Sequence, residues 1–351
     1  MTSNQSPRTP ESYPRSDATL DAYGVPAAGS PLYAATIGAD DLDASIRFYG
    51  GELGLDVLER RSLEGAAFER HWGLPSGATA ECAVLADREL AVGRIVLIEF
   101  HAGERHHVRH VAGQRCFGFV NLNFYTDEIE THTRRLEAAG AKAWSAPVVH
   151  DMGPVGTPVE VMLDGPDSVI INLIELRAAD PSARLLRTVR YIEDHGGYNR
   201  CGSTAVATSQ HCVRDHGRAM AFNVDVLGMS VRNDVVLNGE AMEHFMRYPP
   251  GAQSRDTYLQ GNHVFGKIAV NHPLNFACDD LVPRAVAPHI GYLAQSFLVP
   301  DLQAALTAAR AHQAVEFSET VEYDAPGLGR VLASLVRNPG SGALHELMQR
   351  V

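Results

Sequence analysis

Four histidines fall within the ten residues HAGERHHVRH (101–110), a dense run of metal-ligating side chains. A His-rich tract can hold a divalent cation. Its neighbours are polar and it lies between two strand patterns, so an exposed connection is the expected reading. The five cysteines, Cys82, Cys116, Cys201, Cys212 and Cys278, are odd in number, widely spaced and never in Cys-x-x-Cys order. They predict mostly buried thiols in a reducing, cytoplasmic setting rather than a disulfide framework or a zinc knuckle. Cys212 has no local nucleophile pattern, and the sequence has no Gly-x-Ser-x-Gly elbow, His-Glu-x-x-His pair or Gly-rich phosphate loop. Trp72 and Trp144 are the only large indole platforms.

Local chemistry is therefore sparse, and the elements that would carry it must be read first. The chain has 351 residues, 45% of them hydrophobic, with 30 Lys+Arg against 42 Asp+Glu and a net charge of −12. That balance argues against nucleic acid and anionic membranes as partners. No apolar stretch reaches the roughly 20 residues of a membrane span. The opening MTSNQSPRTPESYPRSD has no apolar core of a signal peptide, and residues 1–29 are expected to form a flexible tail.

The rest of the chain repeats. At an offset of 174, DLDASIRFYGGELGLDV (41–57) lies on DHGRAMAFNVDVLGMSV (215–231). In the same register LEGAAFERHWGLPSGA (63–78) lies on LNGEAMEHFMRYPPGA (237–252), with seven of sixteen positions identical. Two matches in one register indicate a tandem duplication. Each half divides again into strand, helix and three strands. The expected organisation is a first domain over 30–178 (units 31–100 and 117–176), a linker over 179–202 containing a helix near Ser182–Asp194, and a second domain over 203–351 (units 203–275 and 289–351). The fold class is α/β (α+β).

Four βαβββ units, the first opened by ADDLDASIRFYGGELGLDV, resemble the vicinal oxygen chelate superfamily, which includes glyoxalase I, extradiol dioxygenases and bleomycin resistance proteins. The signature is a strand, an Asp-Leu pair, and a helix that carries Phe-Tyr and ends in Leu-Gly. Unit three keeps Asp215, Phe222, Leu227 and Gly228; units two and four keep Glu128-Ile129 and Asp301-Leu302. The resemblance implies four units forming two half-open barrels around small-molecule cavities. It also implies a divalent metal, held from the first and fourth strands of each unit. The first-strand position, seven residues before the acidic residue, is Ala34, Asn121, Thr208 and Ala294 in the four units. The fourth-strand position is Val96, Asn172, Ala269 and Glu346, or His345 in a gapless register. One acidic ligand stands at eight positions. Pairing units 1+2 and 3+4, or 1+4 and 2+3, never collects three, so the family's metal site is expected to be degenerate and no cofactor is assigned firmly. Were it rebuilt, Glu346 with His244, His263 and His272 are the candidates.

The resemblance thus implies an enzyme acting on a small oxygenated metabolite by proton transfer, as an isomerase, epimerase or lyase. Glu346 would be the base, with Asn121 and Asn172 as catalytic amides. Asn123, Thr208, Gln210 and Trp144 would bind substrate. Two alternatives stay open: a metal-free small-molecule binding or resistance protein, and an extradiol-type dioxygenase with a rebuilt metal site. A homodimer is compatible with either barrel.

Overall fold

The computed structural model describes residues 20–109 and 115–351. The first nineteen residues of the expected tail, and His110 of the His run, lie outside them. Residues 20–29 of that tail are folded. Val25 is buried, and the Tyr23 hydroxyl donates to Asp194 at 2.9 Å.

Unit one comprises β1 (Leu32–Gly38), α1 (Leu42–Ile46), β2 (Asp56–Glu64), α2 (Ala66–Trp72), β3 (Thr79–Ala86) and β4 (Arg94–His101). Unit two comprises β5 (Cys116–Thr126), α3 (Ile129–Ala138), the short β6 (Lys142–Ala143) and β7 (Val148–Val149), β8 (Val159–Asp164) and β9 (Ile170–Glu175). The linker carries α4 (Leu186–Asp194), which starts four residues later than expected. Unit three comprises β10 (Ser203–Cys212), α5 (His216–Ala221), β11 (Ser230–Leu237), α6 (Glu240–Met246), β12 (Ser254–Gln260) and β13 (Lys267–Pro273). After β14 (Asp279–Asp280), unit four comprises β15 (Gly291–Leu298), α7 (Leu302–Ala311), β16 (Val315–Glu316), β17 (Val321–Ala325), β18 (Gly329–Arg337) and β19 (Leu344–Arg350).

The repeated acidic residue has a structural job. Asp41, Asp215 and Asp301 are N-caps, each accepting from the backbone N–H three residues on at 2.8–3.0 Å. The apolar residue after the acidic one is sealed into the core in units one, two and four: Leu42, Ile129 and Leu302 are essentially unexposed. The end of the fourth strand satisfies its free N–H. Glu99 accepts from Leu42, Glu175 from Ile129 and Gln349 from Leu302, at 2.8–3.0 Å. Units one and three also share a π-helical extension, Arg47–Glu52 and Phe222–Val226, whereas α3 and α7 run without one. Units one and three thus share a backbone feature as well as a sequence pattern.

Sheet pairing departs from sequence order. One nine-stranded sheet runs β16-β18-β19-β15-β1-β4-β3-β2, with β17 on β18. The other, of ten strands, runs β11-β12-β13-β10-β5-β9-β8-β6, with β7 on β8 and β14 on β5. Units one and four therefore share one sheet, joined by the antiparallel β1–β15 seam; units two and three share the other, joined at β5–β10. The boundaries 30–178 and 203–351 each cut both sheets. First strands pair with first strands: β5 meets β10 of the unit next in sequence, whereas β1 meets β15 of the unit furthest along the chain. A common apolar core joins the sheets, with Phe119, Phe124, Phe222 and Phe297 among its largest members.

The β1–β15 seam is close. A methyl group on Gly38 would stand 2.1 Å from the His289 carbonyl oxygen. Gly38→Ala is expected to cost about 1–3 kcal/mol, read as a lower urea midpoint with an unchanged slope. An unchanged midpoint would show that the seam yields freely.

Candidate functional site

The two troughs differ in what fills them. In the unit one–four sheet, strand alternation points Thr36, Val96, Ile98, Ser296, Glu346 and Met348 into the concave side. Trp72, Leu63 and Tyr323 close over them, and the space left is only about 20 Å³. Glu346 pairs in register with Ser296, which settles its strand face, and His345 points the other way into the inter-sheet core beside Phe119, Phe222 and Phe297. Burial drives the His345 imidazole down to about 3. Glu346 is bound on all sides: His71 Nε2 at 2.8 Å, Ser296 Oγ at 2.6 Å and the Tyr323 hydroxyl at 2.7 Å. Burial alone would raise its pKa, but the hydrogen bond and electrostatic pull of His71, then the two hydroxyls, hold it below the usual carboxylate range.

The unit two–three sheet instead encloses a cavity of about 620 Å³. A row of side chains runs straight across it: Lys267, Thr208, Asn123, Asn172 and Met162 are register partners on β13, β10, β5, β9 and β8. Gln210 and Ala269 form the next row, with Tyr258 opposite Ala269 and Asp256 one step further along β12. Phe245 and Met246 of α6, Leu185 and Thr188 of the linker, and Tyr23 and Gly24 close the mouth.

Asp256 is the buried acid of this cavity. Its Oδ1 accepts from Ser254 Oγ at 2.7 Å and from Asn271 Nδ2. Among the described residues its Oδ2 has the Gln210 Nε2 contact alone, at 3.5 Å, the limit of a hydrogen bond. Burial pushes the carboxyl up to about 6, against the lowering effect of Ser254 and Asn271. Lys267, at the other end of the cavity, donates to the Tyr125 hydroxyl at 3.2 Å. Burial, then the Arg232 guanidinium, bring it down to about 7. Asn172 Nδ2 donates to Glu160 Oε2 at 2.8 Å, while its buried Oδ1 finds no partner among the described residues. Such an acceptor is costly unless a donor arrives, and a bound hydroxyl would supply one.

The expected site residues are thus split. Asn123, Asn172, Thr208 and Gln210 share the open cavity; Asn121 lies behind Asn123, to which it donates. Glu346 belongs to the other sheet and cannot act on anything those amides hold. The separation follows from the sheet pairing. Trp144 lies outside the cavity wall, its Nε1 on Asp164 Oδ1 at 2.8 Å and the Arg247 guanidinium over its ring. His244 is exposed on α6, His263 bonds Tyr191, and His272 bonds the Val213 carbonyl oxygen. These three and Glu346 do not converge. Asp256, Lys267, Glu160 and Tyr258 were missed. The alternation in SRDTYLQ places Asp256 and Tyr258 on one face of a third strand, outside the first- and fourth-strand ligand pattern.

The donors do not fit the family's divalent metal. The ligand positions of units two and three hold Asn121, Asn172, Thr208 and Ala269, neutral groups where divalent cations want charged oxygen or imidazole. In the other sheet Glu346 has its oxygens occupied and Ala34, Ala294 and Val96 beside it. Among the described residues no group of three or more His, Cys, Asp or Glu is placed to hold a metal ion.

Comparison with known proteins supports the architecture. Residues 32–167 match the model of the Glyoxalase/Bleomycin resistance protein/Dioxygenase superfamily. A glyoxalase I mutant from Zea mays superposes with a TM-score of 0.59 at 14% identity, covering 92% of this chain and 93% of that one. A putative dioxygenase from Bacillus subtilis superposes at 0.53 and 12% identity, covering 92% and 86%. At such identities the likeness is one of fold. No curated protein matches the sequence.

Proposed function

We propose that the chain, whose residues 32–167 match the model of the Glyoxalase/Bleomycin resistance protein/Dioxygenase superfamily, is an enzyme that moves a proton on a small oxygenated metabolite held between units two and three. The observation that carries this reading is Asp256: a buried carboxyl with one oxygen anchored and the other open to a cavity of substrate size. A base near pKa 6 is well matched to neutral pH.

In the proposed step Asp256 Oδ2 takes a proton from a carbon next to a carbonyl. The C–H pair moves into the C–C bond and the carbonyl becomes an enolate oxygen. Thr208 and Gln210 are the neighbouring donors for that oxygen, and the Asn172 Oδ1 acceptor suits a substrate hydroxyl. Protonation of the opposite face by water entering the cavity, with the proton on Asp256 released to solvent, gives epimerisation; loss of a β-substituent gives a lyase. Isomerase, epimerase and lyase are thus variants of one first step. The second reading, a binding protein that does no chemistry, draws on the aromatic walls Tyr125, Tyr258 and Phe245.

Solvent exchange separates them. A panel of aliphatic and aryl ketones and hydroxyketones is incubated with the protein in D2O and followed by proton NMR. Enzyme-dependent loss of the signal beside the carbonyl is expected for at least one compound. Saturable binding with no exchange across the panel would replace the enzyme by the binding protein.

A further inference from the structure

Arginine supplies almost all the positive charge of this chain. Lys142 and Lys267 are the only lysines in the sequence, and arginine provides the rest of the 30 basic side chains. Lys142 is exposed on β6, whereas Lys267 stands on the wall of the cavity. The duplication offers a comparison inside the molecule. Ala34 and Thr208 are equivalent across the 174-residue offset, and their register partners on the fourth strands are Arg94 and Lys267. Both cations lie over a tyrosine ring, 5.3 Å from its centroid. Both donate to that tyrosine's hydroxyl and to the carbonyl oxygen of a residue just before the strand, Leu90 for Arg94 and Val264 for Lys267. The filled trough thus has an arginine where the open cavity has a lysine.

Arg94 shows that a structural cation at this place does not require lysine. What lysine adds is an amine that can lose its proton and attack a carbonyl carbon. Among the described residues no carboxylate pairs with the Lys267 Nζ; its partners are the Tyr125 hydroxyl and ring and the Val264 carbonyl oxygen. Burial without a counter-charge disfavours the ammonium, the Arg232 guanidinium adds to the effect, and the group sits at about 7.

We propose that Lys267 is a covalent capture site for the carbonyl group of an aldehyde or ketone that enters the cavity. The Nζ lone pair bonds the carbonyl carbon as the C=O π pair moves to oxygen. One nitrogen proton then passes to that oxygen through the Tyr125 hydroxyl, giving a carbinolamine. Burial keeps the Tyr125 phenol protonated at neutral pH, so it donates one proton as it receives another. The C–O bond breaks, the oxygen leaves as water with the second nitrogen proton, and a C=N bond remains. No oxidant or reductant is consumed. This goes beyond the proton-transfer reading and does not rest on Asp256, whose register partner Asn271 lies four residues along β13, about 13 Å away.

The full chain is incubated at pH 7 with benzaldehyde or hexanal and cyanoborohydride, which reduces an imine to a stable secondary amine. Peptide mass mapping reads the label on each lysine, with Lys142 as the exposed control. Lys267 is expected to label at least about tenfold faster than Lys142 with one of the two aldehydes. Lys267→Arg should lose that label, keep the label on Lys142 and melt with the wild type, since Arg94 fits the equivalent place. Equal labelling of the two lysines, or faster labelling of Lys142, with both aldehydes would overturn the capture site and leave the assignment of Asp256 untouched. Should the variant fail to fold, the ratio of the two lysines in the wild type decides alone.

Discussion

Asp256→Asn is expected to slow solvent exchange by about 10²–10⁴-fold, the usual worth of a positioned general base. The amide keeps the shape and can still accept from Ser254 and Asn271, but it cannot take a proton. The wild-type rate should rise with pH and level off above about 6, where the carboxyl becomes ionised; the variant should lose that limb. Stability separates this from a folding defect. The folded-state pKa lies above the unfolded value of 3.8, so the folded protein holds the proton more tightly. Stability therefore falls as pH rises from the unfolded value through about 6, and the buried charge is a burden above it. The variant removes that burden and should melt no lower than wild type at pH 8. A variant that exchanges at the wild-type rate would end the assignment of Asp256 as base.

Glu346→Ala is expected to cost about 3–5 kcal/mol, because three buried side chains lose the acceptor they share. His71, Ser296 and Tyr323 all lose their acceptor in a trough with about 20 Å³ to spare. The carboxyl is held below its ordinary value of 4.5. Its contribution is therefore complete above that value and is lost as pH falls through the folded-state pKa. Glu346→Gln should flatten this acid limb with a smaller loss, since it still accepts from one or two of the three donors. Urea unfolding at pH 7 and pH 4 reads both effects. Solvent exchange in the other sheet should change by no more than about twofold in Glu346→Gln, because distant sites act independently. A collapse of exchange there would restore Glu346 to the chemistry and overturn the two-trough separation.

Much of the architecture was legible because it is written in local patterns. The N-caps Asp41, Asp215 and Asp301 and the buried residues after them are one-turn features, and they repeat. The pairing of units was not legible. It depends on which first strand meets which across more than 250 residues of sequence, as Leu32 meets Phe297, and no local signal encodes that choice. The site suffered from the same gap. Asn172 and Thr208 were found through the family pattern, Asn123 and Gln210 as the residues two further along the same strand faces, and the four line one cavity. Glu346 fitted the pattern equally well but is walled into the other sheet. Asp256 has no counterpart in the metal-ligand pattern, and its significance comes from a cavity that only the folded sheet creates.

The crossed pairing also orders events in time. During synthesis β1 emerges early, yet its seam partner β15 begins at Gly291. Unit one must therefore wait with an open apolar edge while units two and three, adjacent in sequence, can close their own seam first. The inner pair nests inside the outer pair, like brackets within brackets. Long-range closure of that kind is slow and leaves an edge open to other chains. The sheet that holds the open cavity is thus the one able to assemble first, and the filled sheet, with Glu346 on its β19 strand, is the clasp that fastens last.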